Sequence, residues 1–396
     1  MNGTIKLVAP LVAALAIAAC SGGSSMPTTA GLPGTSQSGA GHFVPEWKAK
    51  NLAHQVCPNE GPRFGECMVL FARSNVSPDV AGWAPIDFQT RYALPSGTKG
   101  AGQIVAIVDA YDNPNIASDL STYRTNFSLG TATFTKYNQV GQQSNYPVGN
   151  HGWGLEEDLD VQMVSAVCPK CTIYLIEANS NQTSDLDTAE KEAVTLGAHI
   201  ISNSWGCFGS NSCVDSSAFD TPGVIYLASA GDSGYGTQAP AALGSVVSVG
   251  GTVLSKTGST YSETTWNGTG SGCATGVTKP SWQHDSGCTF RTMNDISAVA
   301  FNAAEYDSYG YGGWITVGGT SVASPMMGGV FGLAQNASTQ TDAKKFWTQS
   351  KRRYKHDLHD ITTGANGSCS PSYLCKAGPG YDGPTGWGTP HGVGAF

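Results

Sequence analysis

The most specific chemical signal in this sequence is a serine inside a run of small residues. Ser321 lies in the run GGTSVASP, residues 318–325, and a helix of small residues is predicted over 326–334. Such residues allow a tight turn that would present Ser321 at a helix N-terminus, where amide groups can stabilise a developing oxyanion. A serine in a glycine-rich turn can also be a simple helix cap. The hydroxyl therefore needs a base before it indicates catalysis.

Two acidic residues on a predicted helix could supply that base. The sequence LEEDLD, residues 155–160, opens a helix predicted to end at Val167. Glu156 and Asp160 are four residues apart and share one face of it. A carboxyl pair that shares one proton can accept a proton and return it. The competing interpretation is a solvated first turn, since acidic side chains favour a helix N-terminus.

The serine run resembles the nucleophile motif shared by subtilisin-like and sedolisin-like serine peptidases, and a second motif separates the two groups. Asp232 lies in SAGDSG, residues 229–234, after a strand predicted over 224–228. Subtilisins have an asparagine at this place, whereas the S-x-G-D-x-G pattern resembles acid-active sedolisins. A protonated aspartate can donate a hydrogen bond to an oxyanion, and an ionised one cannot. A turn-forming Asp-Ser-Gly is the simpler interpretation.

The sedolisin resemblance, which runs from about Trp83 to Phe396, implies a role for each of these residues. Ser321 would be the nucleophile, Glu156 the base, Asp160 its partner and Asp232 the oxyanion donor. SNSWG, residues 202–206, looks like the strand that pairs with substrate. The implied activity is a serine-type endopeptidase that cleaves protein or peptide substrates at acidic pH.

Two alternatives stay open at this stage. A subtilisin-type triad would use Asp109, His151 and Ser321 and would work best at neutral or higher pH. His151 is followed by Trp153 and Gly154 rather than by the HGTH helix of subtilisins. A catalytically inactive, surface-tethered binding protein on the same scaffold is the third hypothesis.

The C-terminal region indicates a calcium site. Two aspartates and turns rich in glycine and proline supply carboxylate and carbonyl oxygens, which Ca²⁺ prefers. The segment resembles the calcium loop of sedolisins. That resemblance implies one Ca²⁺ ion, held by the side chains of Asp360 and Asp382 and the carbonyls of Ile361, Gly378 and Gly380. A glycine-rich loop without a ligand is the alternative.

The elements that must position these groups alternate between strand and helix. Apolar runs predict strands over 103–109, 171–177, 199–205, 223–229 and 245–252, and helical spacing occurs over 116–127, 155–167 and 184–196. Ser184, with Asp187 three residues later, would cap the last of these helices. The prediction is an α/β, three-layer, subtilisin-like fold with a central, mostly parallel sheet flanked by helices.

Composition and cysteine spacing indicate export. The net charge is −8, with 21 basic and 29 acidic residues, and this argues against a nucleic-acid partner. Residues 1–20 read as a signal peptide with a lipobox, so lipid on Cys20 would anchor the chain to a bacterial cell envelope; an extracellular product is the alternative. The ten other cysteines form five close pairs, which are predicted to be disulfides. We expect a monomer with a tether and short N-terminal extension over 21–75 and a catalytic domain over 76–396.

Overall fold

The protein is described here from a computed structural model that covers residues 44–72, 80–208, 211–340 and 342–396. The predicted signal peptide, its lipobox and residues 21–43 of the predicted tether and extension lie outside the described residues, as does the predicted domain boundary at 75–76. Residues 42–396 form one compact unit. Among the described helices, none is long and apolar enough to cross a membrane.

The described helices are α1 (Glu46–Ala49), α2 (Pro85–Arg91), α3 (Ile116–Asn126), α4 (His151–Val167), α5 (Thr183–Thr195), α6 (Thr320–Ala334), α7 (Lys344–Thr348) and α8 (Lys351–Asp357). The described strands are β1 (Ala53–Gln55), β2 (Glu66–Cys67), β3 (Leu70–Ala72), β4 (Ile104–Ala110), β5 (Thr133–Asn138), β6 (Thr172–Ala178), β7 (Ile200–Asn203), β8 (Trp205–Gly206), β9 (Ile225–Ser229), β10 (Val246–Thr257), β11 (Thr260–Thr265), β12 (Gly272–Thr278), β13 (Phe290–Met293), β14 (Ile296–Val299), β15 (Phe301–Asp307), β16 (Gly313–Gly318), β17 (Leu358–His359) and β18 (Thr389–Pro390).

The central sheet has the strand order β11-β10-β9-β7-β4-β6-β5, and β14 also pairs with β10. All of these pairings are parallel except that of β10 with the edge strand β11. The interior strands are almost entirely buried, as the continuous apolar runs predicted. The mostly parallel sheet is therefore confirmed.

Helices cover both faces of this sheet. On β7, the hydroxyl of Ser202 contacts that of Ser324 on α6 (2.9 Å), whereas the amide of Asn203 donates to Glu190 on α5 (3.2 Å). Successive residues of a strand point to opposite faces, so α6 and α5 lie on opposite sides. This arrangement confirms the predicted three-layer, subtilisin-like architecture.

Three predicted helix starts differ from the structure, those of α4, α5 and α6. The helix predicted from residue 184 begins at Thr183, and no side chain caps it; Asp187 instead accepts a hydrogen bond from the Asp215 amide (2.9 Å). The helix predicted from residue 326 begins at Thr320 and carries Pro325 within its second turn. Pro325 is the sixth residue of this helix, and its missing amide leaves the Ser321 carbonyl without that hydrogen bond within the helix.

All five predicted disulfides are present: Cys57–Cys67, Cys168–Cys171, Cys207–Cys213, Cys273–Cys288 and Cys369–Cys375. Each bridge joins two cysteines that follow one another along the chain, with no other cysteine between them. The nearest-neighbour prediction is confirmed.

Candidate active site

Helix α4 is the element that brings acidic side chains into the protein interior. It starts at His151, four residues before the predicted start, because the Asn150 side chain accepts hydrogen bonds from the amides of Gly152 (2.9 Å) and Trp153 (3.1 Å). This cap compensates for the low helix propensity of the glycines near the start. Every residue from Trp153 to Val167 is buried. The solvated-turn interpretation is therefore wrong for Glu156 and Asp160.

Helix α4 can be buried in this way because α6 packs directly against it. A Cβ atom at Gly329 of α6 would lie 2.3 Å from the Val167 side chain of α4. Only glycine allows the two helices to approach this closely. The close packing fixes the acidic face of α4 relative to the N-terminus of α6, where Ser321 lies.

Glu156 and Asp160 form one electrostatic unit with Ser321. Burial raises the pKa of Glu156 well above the usual carboxyl range, the Asp160 charge raises it further, and the Ser321 hydroxyl lowers it. Burial likewise raises the pKa of Asp160, whose Oδ1 accepts a hydrogen bond from the Ser204 hydroxyl (2.7 Å). Neither Glu156 oxygen makes a hydrogen bond of normal geometry. Glu156 is thus a buried acid with free proton-accepting capacity beside Ser321.

Ser321 occupies the first turn of α6 and is buried. Its Oγ donates a hydrogen bond to the Ser204 carbonyl (3.2 Å) in the link between β7 and β8. Ser204 therefore contacts Asp160 through its side chain and Ser321 through its backbone. The sequence analysis did not assign a role to Ser204, although it lies within the SNSWG segment.

Asp232 follows β9 and is joined to the start of α6 through Thr320. Its Oδ1 accepts hydrogen bonds from the Thr320 amide (2.8 Å) and hydroxyl (2.9 Å). Burial raises the pKa of Asp232 to about 8, although the hydrogen bonds from Thr320 oppose that rise. Its second oxygen, Oδ2, is buried without a hydrogen-bond partner. A neutral carboxyl with a free oxygen next to Ser321 can donate a hydrogen bond.

Gly319 keeps open the space between Asp232 and the backbone. Its φ is +118°, and a Cβ atom there would lie 2.7 Å from Asp232 Oδ2 and 1.9 Å from the Met68 carbonyl oxygen. Both the backbone conformation and the crowding require glycine at this position. The Met68 carbonyl oxygen and Asp232 Oδ2 thus both lie against Gly319.

The residues of the alternative triad have different surroundings. Asp109, at the end of β4, is buried without a hydrogen bond, and burial raises its pKa to about 8. Its charge raises the pKa of Glu156 and Asp160, so it belongs to the acidic group on α4. His151 is exposed, and its ring packs on Tyr309 with centroids 4.4 Å apart. Among the described contacts, none joins His151 to Ser321.

The predicted calcium ligands lie on one C-terminal loop. Asp360 Oδ2 accepts a hydrogen bond from the Gly380 amide (3.0 Å), and Asp382 Oδ2 accepts one from the Gly378 amide (3.0 Å). The charge of Asp360 raises the pKa of Asp382, although burial is the larger cause. Two carboxylates close together on a loop rich in carbonyl oxygens form an all-oxygen donor set that fits Ca²⁺.

The sequence analysis missed a second acidic cluster. Asp119 of α3, Asp158 of α4 and Asp307 of β15 each place a carboxylate oxygen within 4.8 Å of the others, and all three are buried. Burial raises the pKa of Asp158, and the charges of Asp119 and Asp307 raise it further. No local signal indicates this cluster, because its members come from three elements that are distant in sequence.

Comparison with known proteins identifies the family of this chain. The family model described as the subtilase family matches residues 100–361. Kumamolisin from Bacillus sp. (strain MN-32) is 28% identical over 370 residues, which cover 81% of this chain and 64% of kumamolisin. Sedolisin from Pseudomonas sp. (strain 101) is 27% identical over 352 residues, which cover 78% of this chain and 60% of sedolisin. The chain thus spans less than two thirds of the length of both relatives.

A solved structure gives the same result in three dimensions. Pseudomonas sedolisin, a serine-carboxyl proteinase complexed with two molecules of pseudo-iodotyrostatin, superposes with a TM-score of 0.68 at 27% identity. The match covers 79% of this chain and 96% of that structure. These findings confirm the sedolisin resemblance seen in the motifs around Asp232 and Ser321. The chain belongs to the subtilase family, in its sedolisin-like branch.

Proposed function

We propose that this chain is a serine-type endopeptidase that hydrolyses protein or peptide substrates at acidic pH. The observation that carries the proposal is the buried Glu156 beside Ser321. The titratable group next to the candidate nucleophile is a carboxyl, whereas the imidazole of His151 is exposed and packs on Tyr309.

In this mechanism, Ser321 Oγ attacks the carbonyl carbon of the substrate while Glu156 takes the hydroxyl proton. Asp160, oriented by Ser204, shares a proton with Glu156 and so tunes its basicity. Glu156 then gives the proton to the leaving amine. Water hydrolyses the resulting ester by the same steps, and Ser321 regains its proton.

The oxyanion would be stabilised by protonated Asp232 together with backbone amides that include that of Ser321. Asp232 can donate only while it is neutral, and burial raises its pKa to about 8. Acidic conditions therefore keep this donor in its working form. The proton requirement distinguishes this site from one whose donor is an asparagine.

The first test compares two neighbouring glutamates of α4. Glu156→Gln removes the proposed base, and we expect kcat on an unfolded protein substrate at acidic pH to fall by roughly 10²–10⁴-fold. Glu157→Gln is the matched control, because Glu157 is also buried on α4, where burial raises its pKa and the charges of Glu177 and Asp109 raise it further, and its carboxyl makes no hydrogen bond to Ser321. This control should retain most of the activity.

Two further variants decide between the triads. Ser321→Ala should abolish hydrolysis, and His151→Ala should leave most of it. An active Glu156→Gln enzyme combined with an inactive His151→Ala enzyme would support the Asp109, His151 and Ser321 alternative instead. An intact fold with no hydrolysis of any substrate, and no labelling of Ser321 by a peptide aldehyde, would favour a binding protein.

We also propose the finer properties that the sequence suggested. One Ca²⁺ ion would be held by the side chains of Asp360 and Asp382 with the carbonyls of Ile361, Gly378 and Gly380, and it would brace the C-terminal loop. The protein would be a monomer, exported and either lipid-anchored through Cys20 or extracellular. Palmitate labelling of wild type against Cys20→Ala separates the last two.

A further inference from the structure

The buried acidic cluster of Asp119, Asp158 and Asp307 joins three elements of the fold. Asp119 lies on α3, Asp158 on α4 and Asp307 at the end of β15. One carboxylate oxygen of each residue lies within 4.8 Å of the other two. Among the described residues, no lysine or arginine forms a salt bridge with any of the three. The cluster therefore concentrates acidic groups that no cationic side chain balances.

Hydrogen bonds hold the first two carboxylates in fixed orientations. Asp119 accepts hydrogen bonds from the amide (2.9 Å) and the hydroxyl (2.7 Å) of Ser308, directly after β15. Asp158 accepts hydrogen bonds from the side-chain amides of Asn113 (2.6 Å) and Gln162 (3.3 Å). A carboxylate has about four lone-pair positions, so both groups keep capacity for a metal ion. Partners that orient ligands in this way are typical of metal sites.

The third carboxylate has an oxygen without any partner. Asp307 Oδ1 accepts hydrogen bonds from the amides of Gly310 (2.7 Å) and Tyr311 (3.1 Å), which fix the side chain. Its Oδ2 is buried and has no hydrogen-bond partner. The backbone around Asp307 thus orients the carboxylate and leaves one oxygen free.

A fourth carboxyl, that of Glu305, faces the same place and is independent of the cluster's hydrogen bonds. Glu305 is completely buried, and neither of its oxygens has a hydrogen-bond partner. It lies two residues before Asp307 on β15, so both side chains point to the same face of this strand. Burial raises the pKa of Glu305, and the charges of Asp307 and Asp119 raise it further, as expected for a group directed at them. A buried carboxyl without any partner is costly unless a ligand compensates it.

The kind of donor atom limits the ion that could bind. The backbone groups of Ser308, Gly310 and Tyr311 that contact the cluster are N–H donors, which bind carboxylates and not metal ions. An ion would therefore meet carboxylate oxygens. Ca²⁺ usually takes about six to eight oxygens and includes carbonyls among them, whereas the smaller Mg²⁺ is held by one or two carboxylates. Mn²⁺ has the same preference for oxygen ligands.

We propose that Asp119, Asp158, Asp307 and Glu305 form a second metal site, which binds Mg²⁺ or Mn²⁺ through carboxylate oxygens. An ion at this place links α3 and β15 to α4, the helix that carries the proposed base. The site shares no residue with the proposed calcium loop or with the proposed catalytic group. Its test is therefore independent of the proposed function.

The test measures the binding of Mn²⁺ to the Ser321→Ala protein. The protein is first exchanged through acidic buffer, because protons compete with metal ions for carboxylates, and is then returned to neutral buffer that contains Ca²⁺ to fill the C-terminal loop. Mn²⁺ is titrated in, and the free ion is measured by its electron paramagnetic resonance signal. We expect saturation at about one Mn²⁺ per chain and displacement of this ion by Mg²⁺.

Two variants made in the Ser321→Ala protein test the ligands. Asp307→Asn removes one charge with little change of shape, and asparagine can still accept the hydrogen bonds from Gly310 and Tyr311. We expect the affinity for Mn²⁺ to fall by at least about 10-fold, the lower end of the effect of losing a partner around a bound metal. Glu305→Gln should weaken binding in the same way, and it carries the test if Asp307→Asn does not fold.

Two control variants in the same protein should bind Mn²⁺ with unchanged affinity. Glu190→Gln is matched to Glu305→Gln, because Glu190 is also completely buried and has one oxygen without a partner. Glu190 lies on α5, however, where its other oxygen accepts a hydrogen bond from Asn203 (3.2 Å). Asp382→Asn alters the C-terminal loop and so separates the two metal sites.

Three outcomes would overturn the inference. The first is that the Ser321→Ala protein shows no saturable binding of Mn²⁺, in which case protons alone compensate the four carboxyls. The second is that folded Asp307→Asn and Glu305→Gln proteins both bind Mn²⁺ with unchanged affinity. The third is that Asp382→Asn abolishes the binding, which would assign the ion to the C-terminal loop.

Discussion

At the residue scale, the neighbours of Asp232 prepare its carboxyl to donate a hydrogen bond. One of its oxygens is saturated by the Thr320 amide and hydroxyl, which fixes the orientation of the side chain. The other is buried and free. Because the pKa of Asp232 is raised to about 8, the free oxygen carries a proton in acid. The hydrogen bonds from Thr320 thus orient the Asp232 side chain, whereas burial keeps it protonated.

Asp232→Asn tests this assignment through the pH profile. Asparagine can keep the contacts with Thr320 and donates from its amide nitrogen at any pH, so we expect activity to persist to higher pH than in wild type. Asp232→Ala removes the donor and should lower kcat by about 10²–10³-fold at all pH values. The measurement is kcat against pH for the three proteins. An asparagine variant as inactive as the alanine variant would contradict the donor role.

At the element scale, the loop between α8 and the C-terminus depends on two carboxylates in close proximity. Asp360 and Asp382 each accept loop amides, and these contacts orient the carboxylates without neutralising their charges. A divalent cation would relieve their repulsion and join the start and end of the loop. The loop is therefore the element whose stability should respond most to metal removal.

We expect a chelator to lower the melting temperature of the Ser321→Ala protein, which cannot digest itself. Elemental analysis should find about one calcium per chain before chelation. Asp382→Asn on the same background should melt at the lower temperature and lose its response to the chelator, because one charged ligand is gone. An unchanged melting temperature of the Ser321→Ala protein after complete calcium removal would contradict the site.

The sequence predicts an element well when the residues of that element determine it, and poorly when contacts with distant residues do. The strand β4 and the helix α3 follow from continuous apolar runs and helical spacing. The start of α4 does not, because the Asn150 cap outweighs two unfavourable glycines. The segment Glu66–Ala72 is harder still, since β2 has only two residues and its Cys67 pairs with Trp205, 138 positions later. Such short, distant pairings leave no periodic pattern to read.

At the scale of the whole molecule, the interior holds many carboxyls without matching cations. Asp109 on β4 and Glu156, Glu157 and Asp160 on α4 are all buried, and burial is the main cause of the raised pKa of each. The energetic consequence follows from proton linkage. The native state holds protons that the unfolded chain has already released above about pH 4.

Stability should therefore decline as the pH rises. Below about pH 4 both states are protonated, and the full contribution of these groups is present; between about pH 4 and 8 the unfolded state ionises first and becomes favoured. On the Ser321→Ala background, we expect the melting temperature to fall steadily over this range. Asp109→Asn, which stays neutral, should make the fall less steep, because the pKa of Asp109 is about 8 in the native state. A melting temperature that rises toward pH 8 would contradict the prediction.

The disulfides have a consequence for how the protein is made. The widest bridge, Cys273–Cys288, spans 15 positions, and no bridge encloses a cysteine of another. Under the proposed export, with the N-terminus emerging first, the two cysteines of each bridge would emerge one directly after the other. We therefore expect these five bridges to form without an isomerase that reshuffles them.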